Sequence, residues 1–298
     1  MSASMRLTVG GIRAAAAASP ALGGRLAVPL FFSTGQRMRV RADDEATHDA
    51  ARRDVIHVRG HALRTYQWGT GTRAALLVHG WQGRASQFAT LVRDLVGEGF
   101  RVHAFDAPAH GDSAGTDADA RDWIAAAQQL ARTDGPFELA VGHSFGAFAA
   151  LAAVRDGVEV ERVVSIAGAG DVGAFHTQFA RMIGLPAPAL TAFRAGFYRR
   201  LGMDRTAADA LFDTLAHPLP AETELLVIHD RGDRTLDVRN SVALHEAHGE
   251  RSRLLLTQGL GHRRILAADA PLDAVLAFCA GGVRAVDTAR VREEQRVE

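Results

Sequence analysis

Short apolar runs alternate with helix-patterned segments along most of the chain, and this alternation constrains the fold more than any other feature. The run AALLVHG at 74–80 is apolar almost throughout and ends at a glycine, which is typical of a strand buried on both faces. Similar runs lie at 101–107, 137–144, 163–170, 224–230 and 253–259, and a short turn joins two further strands at 54–60 and 61–69. The pattern predicts an α/β fold, with a mostly parallel central sheet of about eight strands and helices on both faces.

One connection between predicted strands is far longer than usual: about fifty residues separate Gly170 from Glu224. Apolar residues recur there at helical spacing: Phe175, Phe179, Met182, Phe193, Phe197 and Leu201. We therefore expect residues 171–222 to form a helical cap or lid inserted into an α/β core of residues 43–170 and 223–283. The alternative for its aromatic side chains is simple core packing.

Composition and charge are those of an ordinary soluble globular protein. Apolar residues make up 47% of the chain and charged residues 23%, and the formal net charge is zero. No global field therefore favours nucleic acid or an anionic membrane as a partner, and no run approaches the roughly 20 apolar residues of a transmembrane segment. The single cysteine, Cys279, excludes an internal disulfide and fits a reducing compartment, so we expect a cytoplasmic protein.

Both ends of the chain differ from the middle. The first 42 residues lack Asp and Glu but contain six arginines: Arg6, Arg13, Arg25, Arg37, Arg39 and Arg41. We expect residues 1–42 to form a basic, partly helical arm on the main domain; a targeting peptide or a segment that contacts a membrane surface is the alternative. Residues 284–298 are expected to be a charged C-terminal tail.

Two segments contain the pattern Gly-x-Ser-x-Gly: GHSFG at 142–146 and GDSAG at 111–115. An activated serine of this kind needs a sharp turn from strand to helix, with small neighbours. Ser144 directly follows an apolar strand and opens a helix rich in Ala and Gly. Ser113 lies in a loop of Pro, Gly and Asp, some seven residues past the end of a strand. Ser144 is therefore the candidate nucleophile, and Ser113 is interpreted as a turn residue.

A serine hydroxyl needs a base that accepts its proton. In an open parallel sheet such groups lie in loops beyond the carboxyl ends of the strands. His262 lies in a Gly-rich loop just past the last strand and is the candidate base. The other histidines near strand ends fit less well: His143 adjoins the serine with its side chain expected to point away, and His229 lies within a strand.

The base needs an acidic partner that orients it. The segment VIHDRGDRTLDV offers three aspartates at the end of the strand 224–230. Asp233 lies in the loop and is the candidate, with Asp230, at the strand end, as its nearest rival. Asp237 is interpreted as a helix cap.

An acyl-transfer intermediate also needs backbone N–H donors for its oxyanion. The N–H of Phe145, directly after the nucleophile, is one candidate, and the N–H of Trp81, in the loop after strand 74–80, is the other. His79, Gln82 and His143 are candidates for the wall of a substrate pocket.

Five segments together resemble the α/β-hydrolase family and occur in that family's order, across about residues 54 to 282. They are LLVHGWQG, VHAFDAPAHGDSAG, LAVGHSFGAFAAL, LLVIHDRGDRTL and GLGHRRIL. The likeness is to small bacterial esterase-like members, and it implies an acyl-enzyme mechanism with no metal and no organic cofactor. The loop DAPAHGDS departs from the family pattern at Ala109, where a glycine is usual, and this change affects a turn rather than the candidate catalytic groups.

These residues predict a serine hydrolase, a carboxylesterase or thioesterase that acts on a small ester or thioester with an apolar acyl part. Hydrolysis of a C–C or amide bond by the same three side chains is an alternative. A non-catalytic, ligand-binding member of the fold is another, although such proteins often lack one of the three side chains.

Overall fold

The computed structural model describes residues 3–297, and it describes the side chains of residues 3–287. Contacts divide the chain into two compact units. The first unit comprises the N-terminal residues up to Ser33 together with Asp171–Asp213. The second unit comprises Thr34–Gly170 and the residues from Thr214 onward.

The second unit is built on a sheet of eight strands. In chain order they are β1 (Arg52–Val58), β2 (His61–Trp68), β3 (Arg73–Val78), β4 (Phe100–Phe105), β5 (Phe137–His143), β6 (Val160–Ile166), β7 (Glu224–Asp230) and β8 (Ser252–Thr257). Their order across the open sheet is β1-β2-β4-β3-β5-β6-β7-β8. The pairs β1–β2 and β2–β4 are antiparallel, and the other five pairs are parallel. The predicted mostly parallel sheet of eight strands is confirmed.

The twelve α-helices of the described residues lie mainly between these strands. In chain order they are α1 (Ala3–Ala18), α2 (Pro20–Phe32), α3 (Ala42–Asp49), α4 (Ala89–Gly97), α5 (Ala120–Asp134), α6 (Phe145–Arg155), α7 (Val172–Ile183), α8 (Ala187–Leu201), α9 (Arg205–Phe212), α10 (Arg239–His248), α11 (Gly261–Arg264) and α12 (Asp269–Val297).

The local sequence explains the key elements of the sheet. The β1–β2 turn falls at Arg59 and Gly60, which both have positive φ (49° and 81°), as a two-residue hairpin turn of strand-compatible twist requires. The β3 residues 74–78 are all buried, as expected for a strand covered on both faces. Helix α6 is buried on nearly all sides because its residues are small or apolar.

Helix α12 packs on the sheet of the second unit. By length and composition alone, the segment Gly261–Asp287 is apolar enough to cross a membrane. Within α12, however, Val275 and Phe278 are fully buried and belong to the same core cluster as residues of β3, β5 and β7. The helix also contains a kink at Gly281–Gly282. These features are those of a core helix.

The first unit is wholly helical among its described residues and contains α1, α2, α7, α8 and α9. Helix α2 lies so close to α8 that a Cβ on Gly24 would collide with the Ala189 carbonyl. Among the described residues, seven edge-to-face or tilted ring pairs join Phe31, Phe179, Phe193, Phe197 and His176 to one another.

One apolar position of the helical segment was assigned wrongly from its spacing. Met182 was expected on the buried stripe with Phe175 and Phe179, but it is 60% exposed. Ile183, one residue further on, is buried instead. A helix turns by 3.6 residues, so Ile183, four residues after Phe179, continues the stripe.

Candidate active site

Ser144 lies at a sharp turn between β5 and α6, as the sequence predicts. Its backbone has φ 56° and ψ −122°, a region that non-glycine residues rarely adopt. Side chains at the flanking glycines would collide with backbone: Gly142 with Ala147, and Gly146 with the carbonyl of Val78. The Ser144 N–H donates to the carbonyl of Ile166 on the neighbouring strand (2.8 Å). Small neighbours and this cross-strand bond together hold the strained turn.

The structure brings Ser144, His262 and Asp233 into one hydrogen-bonded chain. Ser144 Oγ lies 2.9 Å from His262 Nε2, and His262 Nδ1 lies 2.6 Å from Asp233 Oδ2. Because a carboxylate only accepts, Nδ1 bears the imidazole proton, and Nε2 of neutral His262 can then accept from the serine hydroxyl. The three groups come from turns that follow β5, β7 and β8, at the carboxyl edge of the sheet.

Four donors surround the carboxylate of Asp233, whose side chain is fully buried. Its Oδ1 accepts the N–H groups of Thr235 (2.7 Å) and Leu236 (3.2 Å). Its Oδ2 faces His229 Nε2 at 3.2 Å as well as His262. Burial alone would raise the pKa of Asp233, but the hydrogen bonds from His229 and His262 outweigh it and lower the pKa below its usual value. The carboxylate is therefore ionised at neutral pH.

The contact of His229 with Asp233 was not predicted from the sequence. The Nε2 of His229 faces both Asp233 and the carbonyl of Leu236 (3.1 Å), so it bears the proton, and Nδ1 accepts from the Ser241 hydroxyl (2.6 Å). His229 is fully buried. Its position within β7 argued against a role in the site. The sequence signal that could have indicated this contact is the spacing of four residues between His229 and the candidate acid.

The three candidate aspartates have different hydrogen-bond partners in the structure. Asp230 accepts from the Leu260 N–H and the Thr257 hydroxyl (both 2.9 Å), so it anchors the loop that holds His262 without contacting the imidazole. Asp237 accepts from the N–H of Arg239 at the start of α10 (3.0 Å) and caps that helix, as predicted. Asp233 is thus the aspartate that lies against His262.

His143 does not point away from the site, and that expectation is wrong. Its Nε2 lies 2.8 Å from the backbone carbonyl of His262, and the two rings are 4.9 Å apart. Gln87 Nε2 lies 3.2 Å from its Nδ1. Burial, followed in importance by the nearby His262, lowers the pKa of His143 to about 3, so the ring is neutral.

His79 and Gln82, the other two candidates for a pocket wall, lie in different surroundings. His79 is fully buried: its Nε2 accepts the N–H of Ala107 (2.9 Å), and its Nδ1 faces the carbonyl of Gly80 (2.8 Å). Burial lowers the pKa of His79 to about 4. Both ring nitrogens therefore bond backbone and tie the loop after β3 to the loop after β4. Gln82 is exposed in a turn with φ 59°.

The loop after β3 lies directly against the serine turn. A Cβ on Gly80 would come within 2.8 Å of the His143 carbonyl and 3.0 Å of Ser144 Cβ. The Trp81 ring packs edge-on against Phe145 (5.3 Å between centroids) and stacks on Trp123 (5.6 Å). Gly83 N–H donates to the Gly80 carbonyl (2.9 Å) and closes the turn. The backbones of Trp81 and Phe145 are therefore held close to Ser144.

Ser113 lies apart from these groups. It is fully buried, its hydroxyl accepts the N–H of Arg64 (2.8 Å) and it donates to the carbonyl of Asp106. Its hydrogen bonds are those of a structural turn residue, the interpretation that its sequence surroundings favour. In the part of the chain that the structure describes, no group of three His, Cys, Asp or Glu side chains could hold a metal ion.

Comparison with known families gives the identity that this geometry suggests. A model of the α/β-hydrolase family matches residues 75–285, which include all three side chains of the hydrogen-bonded chain. The chain belongs to the α/β-hydrolase family. No curated protein sequence matches it.

Solved structures share the fold of this α/β-hydrolase at low sequence identity. A membrane phospholipase A, described as a bacterial virulence factor, aligns with a TM-score of 0.61 and 18% identity over 81% of this chain and 89% of its own. An esterase of Pyrococcus furiosus aligns with a TM-score of 0.60 and 18% identity, over 82% and 94%. The thioesterase domain from the curacin biosynthetic pathway aligns with a TM-score of 0.54 and 14% identity, over 78% and 98%.

Proposed function

We propose that this α/β-hydrolase cleaves a carboxylic ester or thioester through an acyl-enzyme on Ser144. The observation that carries the proposal is the continuous hydrogen-bonded chain from Ser144 Oγ through His262 to Asp233, with spacings of 2.9 and 2.6 Å. Nucleophile and base in contact, with the base oriented by a buried carboxylate, is the arrangement that activates a serine hydroxyl. Similarity to esterase, lipase and thioesterase structures agrees with this reaction class.

The proposed reaction has two halves. In the first, Ser144 Oγ attacks the acyl carbon, His262 Nε2 accepts the hydroxyl proton, and then donates it to the departing alcohol or thiol. In the second, His262 takes a proton from water, the resulting hydroxide attacks the acyl-serine ester, and the proton returns to Ser144 as the carboxylic acid leaves. The negative charge of Asp233 stabilises the imidazolium that exists during each half.

The oxyanion of each tetrahedral intermediate is assigned to the backbone N–H groups of Phe145 and Trp81. Phe145 is the first residue of α6, so its N–H lies at a helix N-terminus, where the helix dipole favours negative charge. Trp81 belongs to the loop that Gly80 brings against the serine turn. Donors fixed before the reaction stabilise the developing charge without reorganisation.

A fluorophosphonate probe tests the proposal, because it labels only serines that a neighbouring base activates. We expect labelling of the wild type and of Ser113→Ala, and none of Ser144→Ala or His262→Ala. Thermal unfolding of every variant is measured alongside, since the buried side chain of Ser113 makes two hydrogen bonds. Unchanged labelling of Ser144→Ala contradicts the proposal because the activated serine then lies elsewhere. A folded wild type that does not label contradicts it too and favours a ligand-binding role.

The same preparation identifies the bond that is cleaved. A series of p-nitrophenyl esters and acyl thioesters of increasing chain length should give turnover that disappears in Ser144→Ala. If the protein hydrolyses only amide bonds or C–C bonds, the assignment to esters and thioesters is wrong, but Ser144 remains the proposed nucleophile.

A further inference from the structure

Four helices of the first unit share an unusual charge composition. Helices α1, α2, α7 and α8 contain no Asp or Glu, but they contain seven arginines: Arg6, Arg13, Arg25, Arg181, Arg194, Arg199 and Arg200. We call these the acid-free helices. The whole first unit has eight arginines and four aspartates, a formal charge of +4, so the rest of the neutral chain has −4. The zero net charge of the chain is thus the sum of a positively charged first unit and a negatively charged second unit.

The acid-free helices also expose large apolar side chains. Six such side chains are exposed in the part of the chain that the structure describes, and four of them lie on these helices: Leu7 (78%), Leu22 (48%), Leu26 (47%) and Met182 (60%). On α2, Leu22, Leu26 and Pro29 follow helical spacing on one exposed face, with Arg25 beside them. The opposite face, with Gly24, Ala27 and Val28, is buried.

We propose that the acid-free helices bind an anionic lipid surface. Aliphatic side chains such as Leu22 and Leu26 enter the boundary between headgroups and acyl chains, while neighbouring arginines contact lipid phosphates. A carboxylate near the surface would be repelled by the same lipids, and these helices have none. This combination of exposed aliphatic groups and charge of one sign matches a membrane interface.

Other partners fit these observations less well. Nucleic-acid sites combine basic groups with stacking aromatic or polar side chains, whereas the exposed apolar groups here are leucine and methionine. A protein interface usually has a polar rim of both charge signs around its apolar centre. The acid-free helices offer only the positive sign.

Flotation of the full-length protein with vesicles tests this proposal. We expect binding to vesicles with about one-third phosphatidylglycerol, and about tenfold weaker binding to pure phosphatidylcholine. Leu22→Glu/Leu26→Glu should lower binding to the anionic vesicles about tenfold or more. The matched control, Val55→Glu/Val96→Glu, changes the two exposed valines of the second unit and should leave binding unchanged.

Several results would overturn the proposal. They are no flotation of the wild type, equal binding to both kinds of vesicle, or equal losses in the two glutamate pairs. If the Leu22/Leu26 variant fails to fold, Arg6→Gln/Arg25→Gln replaces it, with the same expected direction. A dimer in sedimentation that Leu22→Glu/Leu26→Glu dissociates, without vesicle binding, would assign the surface to a second copy of the chain. Ser144→Ala should bind vesicles like the wild type, so this test is independent of the proposed hydrolysis.

A second inference rests on a different observation, the contact between His143 and His262. The carbonyl of His262 only accepts, so the facing Nε2 of His143 bears the proton and donates to it (2.8 Å). Nδ1 is then unprotonated and accepts from the Gln87 amide (3.2 Å). His143 is 5% exposed and Gln87 is 7% exposed. The side chain of Gln87 therefore selects the tautomer of His143 that can donate.

We infer that His143 is a positioning residue that holds the backbone of His262 so that its ring meets Ser144 and Asp233. His262 lies in α11, a helix of four residues that follows Gly259 and begins at Gly261, and both glycines have positive φ. Such a segment has little regular structure of its own to fix it. The hydrogen bond from His143 and the packing of the two rings supply that restraint.

The test compares His143→Leu, which removes the donor, with His143→Gln, which keeps an N–H group. His143→Leu should lower kcat on a p-nitrophenyl ester about 10- to 100-fold with KM nearly unchanged, and His143→Gln should restore most of it. The low-field proton NMR signal of the short His262–Asp233 hydrogen bond should disappear in the Leu variant and persist in the Gln variant. The NMR result decides the inference even if the site hydrolyses nothing. A Leu variant that melts at lower temperature but keeps this signal and the wild-type kcat would contradict it.

Discussion

At the residue scale, the two oxygens of Asp233 have separate tasks. Oδ1 is held by two backbone N–H groups, and Oδ2 faces both His262 and His229. The carboxylate is therefore fixed in the plane that the imidazole of His262 needs. Asp230, only three residues earlier, bonds instead to the His262 loop at Leu260. One aspartate orients the ring and the other orients the loop.

Asp233→Asn should lower kcat/KM for an ester about 10⁴-fold, the size of the loss when a triad aspartate is replaced in serine proteases. The asparagine amide can turn an N–H group toward His262 Nδ1, where the carboxylate oxygen accepts a hydrogen bond. This favours the tautomer of His262 that has its proton on Nε2, which cannot accept the serine proton. Steady-state kinetics with Asp237→Asn as the matched control tests this, since the carboxylate of Asp237 bonds the backbone N–H and the guanidinium of Arg239 at the start of α10. Activity of Asp233→Asn above one-tenth of wild type would contradict the assignment.

The same substitution should also change the acid stability of the protein. The native pKa of Asp233 lies below its unfolded value, so the unfolded chain binds its proton first as the pH falls. Its stabilising contribution is present above about pH 4, the unfolded pKa, and is lost below it. Urea unfolding at several pH values between about 3 and 7 should therefore show a shallower acid dependence in Asp233→Asn than in wild type. An equal slope would mean that Asp233 has no depressed pKa.

At the scale of elements, the turn after β4 contains a residue that the family pattern does not favour. Ala109 has φ 62°, in the left-handed region, and its N–H donates to the carbonyl of Ala114 (2.8 Å). A side chain in this conformation costs about 1 kcal/mol, which glycine avoids at the expense of more freedom in the unfolded chain. The sequence departure at this position therefore has a local energetic cost.

Ala109→Gly should raise the free energy of unfolding by about 0.5 kcal/mol and leave kcat unchanged. Ala114→Gly provides a control in the same loop, at a position without positive φ, and should be neutral or destabilising. Urea unfolding measures both. A loss of stability in Ala109→Gly would mean that the methyl group contributes more by packing than its backbone strain costs.

A second element-scale prediction concerns the loop after β3. Gly80→Ala should push this loop away from the serine turn, because the new methyl group would lie 2.8 Å from the His143 carbonyl. The Trp81 N–H would move with it, and kcat should fall about 100-fold, as for the loss of an oxyanion donor. Fluorophosphonate labelling of Gly80→Ala should be slowed, but thermal unfolding should change little. Unchanged kcat would remove Trp81 from the proposed oxyanion site.

The strands of the sheet and the candidate catalytic residues could be predicted from the sequence, because both leave local patterns along the chain. The strand runs, the small residues around Ser144 and the loop positions of Asp233 and His262 are all visible along the chain. The contacts of His143 and His229 are not visible, because they depend on the direction of a side chain across the sheet edge. Met182 was placed on the apolar stripe that Ile183 continues, because an error of one residue turns a helix by 100°. The N-terminal residues were expected to be partly helical, but their Ala- and Gly-rich sequence has too weak an apolar pattern to give the bounds of α1 and α2.

At the scale of the whole molecule, several histidines are buried in the neutral form. Burial lowers the pKa of His79 to about 4, and of His110, His143 and His176 to about 3. Each has a lower pKa in the native state than in the unfolded chain. Between about pH 6.5 and 4 the unfolded state therefore binds more protons, and stability falls as the pH falls.

The free energy of unfolding should therefore drop by several kcal/mol, at least about 3, between pH 7.5 and pH 5. His176→Phe should reduce this drop, because its Nε2 has no hydrogen-bond partner among the described residues and its ring packs among Phe31, Phe193 and Phe197. Urea unfolding at the two pH values tests both statements. Stability that is equal at pH 7.5 and pH 5 would show that these rings are protonated or exposed in the native protein.

The most direct test of the central claim is mass spectrometry of the intact protein, quenched during turnover of a slowly hydrolysed p-nitrophenyl ester. The account predicts one added acyl group, located by peptide mapping on the segment that contains Ser144 and absent from Ser144→Ala. Turnover without such an adduct, or an acyl group on Ser113, would contradict it.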